Sequence, residues 1–281
     1  MGASTTDKRD IYYRQSKTDG YRARSAYKLL HLDEIYSLFH CDSYAMDRSK
    51  APTRVVDLCA APGSWSQVLT QKLPPGSRIV AVDLQPMAPI PGVINILGDI
   101  TRQETADAVV QALRSDKPSA NDEEGLAQLI VCDGAPDVTG VHDLDEYLHA
   151  QLMLAATQIT LRLLEVGGTF IAKIFTQRSK GNTSSMDESG NLLTLQFQQW
   201  FEHVDIVKPR SSRPTSVEHF LVCRNFRPPF DKGFDRKRTA ALLDFGGLRN
   251  VPQDEVTSLP VEMQKILGMT ACGDLSAWDA K

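Results

Sequence analysis

Val55-Val56-Asp57-Leu58-Cys59-Ala60-Ala61-Pro62-Gly63-Ser64-Trp65 is an apolar run that meets an acid and then turns through small residues. Val55 to Leu58 have the β-branched, buried character of a parallel-sheet strand. Pro62 and Gly63 break the strand, and Ser64 is placed to cap a following helix. A strand, a tight turn and a helix start in that order leave backbone N–H groups facing a ligand. The first turn of a helix also favours an anion such as a carboxylate or a phosphate. A dinucleotide site would carry G-x-G-x-x-G at this turn. Here Ala60-Ala61-Pro62-Gly63-Ser64-Trp65 holds one glycine, which weighs against a nucleotide-phosphate cradle.

The same strand-then-helix pattern recurs downstream. Strands are expected at Arg78–Leu84, Val93–Leu97, Leu129–Asp133, Thr169–Phe175, Val204–Val207 and Glu218–Val222. Helices are expected at Ser64–Lys72, from a Thr101 cap to Leu113, at Leu144–Leu164 and at Leu192–Phe201, with Gly167-Gly168 ending the third. Alternation of this kind predicts an α/β fold with a doubly wound, mostly parallel sheet, whose ligands bind beyond the carboxyl ends of the strands. Asp57, Asp83, Asp99 and Asp133 are all expected there. A carboxylate in a core is costly unless paired, although each of the four also reads as a helix cap.

Charge is unevenly spread along the 281 residues. The net charge is −4, yet residues 1–28 hold seven Lys/Arg against three Asp, and residues 208–238 hold nine against three acids. Two basic segments on an acidic body suit a polyanion, because phosphate contacts supply most non-specific nucleic-acid affinity. Solvated surface charge is the plainer reading. Tyr12, Tyr13, Tyr21 and Tyr27 interleave with the first segment and either stack on unpaired bases or belong to the core. Residues 7–20 read as a polar arm. Apolar positions from Ala26 to Phe39 recur at helical spacing and predict an amphipathic helix over 22–39, with Lys28 near the edge of its apolar face.

Five cysteines without a C-x-x-C pair indicate neither a disulfide framework nor a zinc site. That cysteine pattern suits a reducing, cytoplasmic setting, and because no apolar run approaches the roughly 20 residues that span a bilayer, a soluble protein with no membrane partner is expected. His142 and His149 flank Asp143, Asp145 and Glu146, but without compact ligand spacing, and no catalytic metal is expected. Lys173 stands out inside Phe170-Ile171-Ala172-Lys173-Ile174-Phe175, where a charge is a functional candidate. One domain is expected over 1–225, with an extension over 226–281 that is a candidate for partner binding.

An acid at the end of the second strand, Asp83, suits a grip on ribose hydroxyls, and Asp99 suits an adenine amino group. A ribose acid and a purine acid without a phosphate cradle point to S-adenosylmethionine. The stretches D-L-C-A-A-P-G-S-W, A-V-D-L-Q, G-D-I, V-C-D-G-A-P-D-V-T-G and A-K-I-F resemble the FtsJ family of RNA ribose 2′-O-methyltransferases, from Asp7 to about Arg224. The resemblance implies a Rossmann-like methyltransferase fold with a seven-stranded sheet. Within the family, D-K-R-D-I-Y-Y-R, R-A-R-S-A-Y-K-L-L and G-A-P-D-V-T-G-V-H-D-L-D-E-Y are similar to the eukaryotic cytoplasmic tRNA enzymes. Those methylate the anticodon loop, at the wobble nucleotide and the first loop nucleotide.

That resemblance implies cofactor contacts at Gly63, Trp65, Asp83, Asp99 and Asp133, to which the strand-end reading adds Asp57. It implies a catalytic set of Lys28, Asp133, Lys173 and Glu218. A ribose hydroxyl is a poor nucleophile and needs a positioned base, for which Lys173 is the candidate. A lysine accepts a proton only after losing its own, which burial and a neighbouring cation promote. Asp133 and Glu218 would orient the two lysines and hold the ribose. The implied partners are a tRNA anticodon stem-loop and helper proteins, one of WD-repeat type, that select the nucleotide. The alternatives are a ribosomal-RNA ribose methyltransferase and an inactive RNA-binding scaffold. Insertions at 41–52, 115–125 and 178–190 depart from the compact family pattern.

Overall fold

The computed structural model describes residues 10–39, 51–114, 125–135, 142–175, 188–213 and 216–227. The three expected insertions fall almost wholly outside these ranges, as does the extension from residue 228. The elements are α1 (Ile11–Thr18), α2 (Ala26–Tyr36), β1 (Arg54–Leu58), α3 (Ser64–Lys72), β2 (Arg78–Asp83), β3 (Val93–Leu97), α4 (Gln103–Leu113), β4 (Ala127–Cys132), α5 (His142–Leu163), β5 (Leu164–Phe175), α6 (Glu188–Phe197), β6 (Phe201–Val207) and β7 (Glu218–Phe226). The strand order in the seven-stranded sheet is β3-β2-β1-β4-β5-β7-β6. Two compact units divide the chain: residues 1–133 with 208–216, and residues 134–207 with 217–281.

In the first unit β1 is the central strand, pairing in parallel with β2 on one side and with β4 on the other, while β3 pairs in parallel with β2. Val55, Val56, Leu58, Val80, Val82, Ile130 and Val131 are buried, as strands covered on both faces require. Trp65, Val68 and Leu69 of α3 complete this core. In the second unit β7 lies between β5 and β6 and is antiparallel to both. Its core is aromatic: Phe170 stacks on Phe197, which meets Trp200 edge to face, and Phe201 packs on Phe226.

The seven expected strands are present, and four local expectations are corrected. The polar stretch after Asp10 forms α1, because the Asp10 side chain accepts from the backbone N–H groups of Tyr12 and Tyr13 and caps it. Helix α2 begins at Ala26, since the preceding residues close turns of the Ala26 N–H to Ala23 carbonyl type. Thr101 does not cap α4. Its N–H and hydroxyl both donate to Asp99, and Arg102 is the residue before the helix. Gly167 and Gly168 do not stop α5 but lie inside β5, which starts at Leu164 directly after the helix. Gly167 has φ +81°, where glycine is favoured, and a Cβ on Gly168 would sit 2.6 Å from the Leu164 side chain and 2.8 Å from the Glu165 carbonyl oxygen. Among the described residues no helix is long and apolar enough to cross a membrane.

Candidate functional site

The turn after β1 is built around a left-handed glycine. Gly63 precedes α3 with φ +102°, and a Cβ there would lie 2.6 Å from Met87 Sδ, 2.7 Å from an Arg22 guanidinium nitrogen and 2.9 Å from Ile90 Cδ1. Ser64 is the first helical residue, not the cap, and its hydroxyl hydrogen-bonds that of Ser25 at 2.6 Å. Asp83, the last residue of β2, ties this turn to the next one. Its Oδ2 accepts from the Ala61 N–H at 2.8 Å and its Oδ1 from the Gln85 N–H at 2.7 Å. One lone pair on each oxygen is used and one is left, which suits the two hydroxyls of a ribose. Asp99 stands two residues beyond β3, half-buried, and Asp133 directly follows β4.

Gly63→Ala adds a methyl to a filled cradle at a backbone angle that costs about 1–2 kcal/mol for other residues. The variant is expected to fold yet bind S-adenosylmethionine at least about tenfold more weakly, as titration calorimetry would show.

Asp57 differs from the other acids. It is the penultimate residue of β1, 1% exposed, and accepts from Ser66 Oγ at 2.6 Å, so its carboxylate joins β1 to α3. Burial pushes it up to about 7; the Ser66 bond opposes this and the Asp133 and Asp83 charges add to it. An acid raised in the folded state contributes stability that is full below its ordinary value near 3.8 and is lost as the pH rises through 7. Asp57→Asn cannot ionise. Its melting temperature should therefore gain on that of the wild type between pH 4 and 7 and run parallel above 8; parallel curves throughout would contradict this origin.

Trp65 is buried, and its indole N–H donates to the Ser25 carbonyl at 2.9 Å, fixing the start of the helix that carries Lys28. Lys28 lies within the packed surface of α2 and not at its edge, 9% exposed, with Nζ 3.5 Å from Asp133 Oδ1. Arg22, expected at the start of the helix over 22–39, precedes α2. Its guanidinium donates to the carbonyls of Pro62, Ala88 and Pro89 and so bridges the loops that follow β1 and β2. No periodicity signals such a bridge. Gln67 and Gln71 of α3 hold the same segment through the Arg22 N–H and the Tyr21 hydroxyl.

The tyrosine question resolves toward the core for two residues. Tyr21 and Tyr27 are buried and meet edge to face, and the Tyr27 hydroxyl donates to Asp19; burial, joined by that bond, raises the Tyr27 pKa. The two basic segments are partly neutralised at home: Arg24 and Arg213 pair with Asp10, and Arg210 pairs with Glu34. A hydrogen bond with Cys132, together with burial, pushes the Cys59 thiol up, so this cysteine at the turn is no reactive thiolate.

In the second unit Phe175 is registered with Glu218 and Lys173 with Phe220. Lys173 and Glu218 are therefore diagonal neighbours on one face of an antiparallel pair, a separation long side chains span. Lys173 Nζ stands 3.9 Å from Glu218 Oε1, with Lys173 7% exposed. His149 is buried, and its Nε2 is bonded to the Lys173 carbonyl. The structure thus brings Lys28 to Asp133 and Lys173 to Glu218. The side chains of His142, Asp143, Asp145 and Glu146 lie outside those described; among the described residues no group of three His, Cys, Asp or Glu could hold a metal ion.

The FtsJ-like methyltransferase family model matches residues 21–226. A mouse tRNA (cytidine(32)/guanosine(34)-2′-O)-methyltransferase is 46% identical over 283 residues, covering 100% of this chain and 76% of the relative. A Drosophila melanogaster tRNA (guanosine(34)-2′-O)-methyltransferase is 43% identical over 237 residues, covering 82% of this chain and 65% of the relative. The solved structure of a putative ribosomal RNA methyltransferase from Plasmodium falciparum is 27% identical, covers 73% of this chain and 98% of its own, and has a TM-score of 0.55. The expected Rossmann-like methyltransferase fold is thereby borne out. So is the expected cofactor, S-adenosylmethionine, on which such enzymes depend. With a family match over most of its length and a relative this similar across all of it, the chain belongs to the FtsJ-like methyltransferases.

Proposed function

We propose that the chain methylates the ribose 2′-hydroxyl of tRNA in the anticodon loop, at the first loop nucleotide and the wobble nucleotide, with Lys173 as general base. The supporting observation is that both lysines of the implied catalytic set are buried beside a carboxylate of that set, Lys28 by Asp133 and Lys173 by Glu218. The names of the mouse and fly relatives support the substrate.

S-adenosylmethionine supplies a methyl on a positively charged sulfur, which becomes a neutral thioether as a ribose oxygen takes that methyl in line. Lys173 Nζ accepts the hydroxyl proton. The ammonium so formed gains the Glu218 carboxylate as partner, which stabilises the protonated product of the base step. Lys28 and Asp133 hold the ribose, with Asp133 turned also to the methionine end of the cofactor. Asp83 takes the cofactor ribose, Asp99 its adenine, and Gly63 and Trp65 shape the turn. Exposed basic residues of the N-terminal segment and of 208–213 offer phosphate contacts.

The mouse relative is named for two nucleotides and the fly relative for one. Nucleotide selection by helper proteins, one of WD-repeat type, is the part of this reading that the family resemblance implies. The free thiols of Cys59, Cys132 and Cys223 suit work in the reducing cytoplasm. The test offers tRNA and ribosomal RNA in separate reactions with labelled cofactor and copurified partners. Label in tRNA supports the reading, and label in ribosomal RNA alone replaces it with the ribosomal alternative.

A further inference from the structure

We propose that His149 is a positioning residue for Lys173, acting as a hydrogen-bond donor that fixes the main chain of β5 beneath the base; this rests on the reading of Lys173 given above. His149 projects from α5 and is 7% exposed. Its Nε2 is 3.1 Å from the Lys173 carbonyl oxygen. A carbonyl only accepts, so Nε2 carries the hydrogen. The same ring packs against Phe175, with centroids 4.4 Å apart. One side chain therefore grips the strand at two points two residues apart, next to where β5 ends.

The other edge of the same segment is held by β7, through the Lys173–Phe220 and Phe175–Glu218 pairings. Lys173 and its carboxylate partner are thus set by one strand pair, and His149 fixes that pair from the helix side. A base needs its nitrogen within a fraction of an ångström of the productive position, and a strand end without this clamp loses that accuracy. The donor is also electrically silent. Burial pushes His149 down to about 4; the bond to the Lys173 carbonyl opposes this, and the Lys173 charge adds to it. Around neutral pH the ring therefore adds no positive charge beside Lys173. Its Nε2 hydrogen is committed to the main chain, so it is no rival base.

The experiment compares the full chain with His149→Gln, His149→Asn and Lys173→Met, using labelled S-adenosylmethionine and tRNA. Gln keeps an amide donor that reaches the carbonyl, whereas the shorter Asn does not. Both are polar, so a fold that accepts one should accept the other. His149→Asn is expected to lower kcat about 10- to 100-fold, with KM for tRNA and cofactor affinity within about twofold of wild type. His149→Gln is expected to restore kcat to within about threefold. Equal kcat in wild type and Asn, or equal loss in Asn and Gln, overturns the positioning role. Turnover by Lys173→Met instead overturns the base assignment, which keeps the two failures distinct.

Discussion

Replacing Lys173 with methionine is expected to lower kcat by about 10³-fold or more while leaving cofactor affinity within about twofold. Methionine keeps the length and the apolar stem of lysine but offers no amine, so the buried position stays filled. The loss is expected to be confined to proton removal because the residues assigned to the cofactor, Gly63 and Asp83 among them, are unchanged in this variant. Glu218→Gln gives a graded control. It keeps side-chain volume and a hydrogen-bond acceptor but removes the charge that favours the newly formed ammonium 3.9 Å away. Its kcat is expected to fall by about tenfold, less than for Lys173→Met. Rapid-quench assays with labelled cofactor measure both. Turnover by Lys173→Met near the wild-type rate would remove Lys173 from the chemistry.

The second large effect falls on Asp83. Both its oxygens accept backbone N–H groups, from Ala61 and Gln85, in two different loops. Asp83→Ala leaves those donors without their partner and also removes the proposed grip on the cofactor ribose. Lost charged hydrogen bonds cost about 1–3 kcal/mol each, and S-adenosylmethionine should bind at least about 100-fold more weakly. Asp83→Asn retains one acceptor oxygen and is expected to fall between the two. Titration calorimetry decides the matter: an Ala variant that binds as tightly as the wild type would confine Asp83 to loop support.

Much of this arrangement is legible in the sequence because parallel strands announce themselves. Val55–Leu58, Arg78–Asp83 and the apolar run before Asp133 are short and β-branched, and each leads into a turn or an acid that the fold places at a strand end. Asp57 shows the limit of that rule. Shifting one residue back from the end of β1 turns a ligand-facing candidate into an interior carboxylate held by Ser66. Lys173 and Glu218 are 45 residues apart in sequence, yet they meet once the β5–β7 register is known.

What stayed hidden depends on partners distant in sequence. Trp65 donates to Ser25, Arg22 bridges Pro62 to Ala88 and Pro89, and His149 reaches the Lys173 carbonyl. None of these pairs leaves a local period, because a hydrogen bond across the fold imposes no pattern on its neighbours. The glycines of β5 misled for a related reason. Gly167-Gly168 is an ordinary helix stop by composition, and only the packing of Leu164 shows that a strand has already begun.

The proposed reaction requires a ribose acceptor in the anticodon loop of tRNA. The direct measurement incubates the full chain, with its copurified partners, with labelled S-adenosylmethionine and total tRNA, and then maps ribose methylation at single-nucleotide resolution, with Lys173→Met in parallel. The expected result is a methyl on the 2′-oxygen within the anticodon loop that is absent with Lys173→Met. Methyl groups on bases, on riboses outside that loop, or undiminished with Lys173→Met would contradict it.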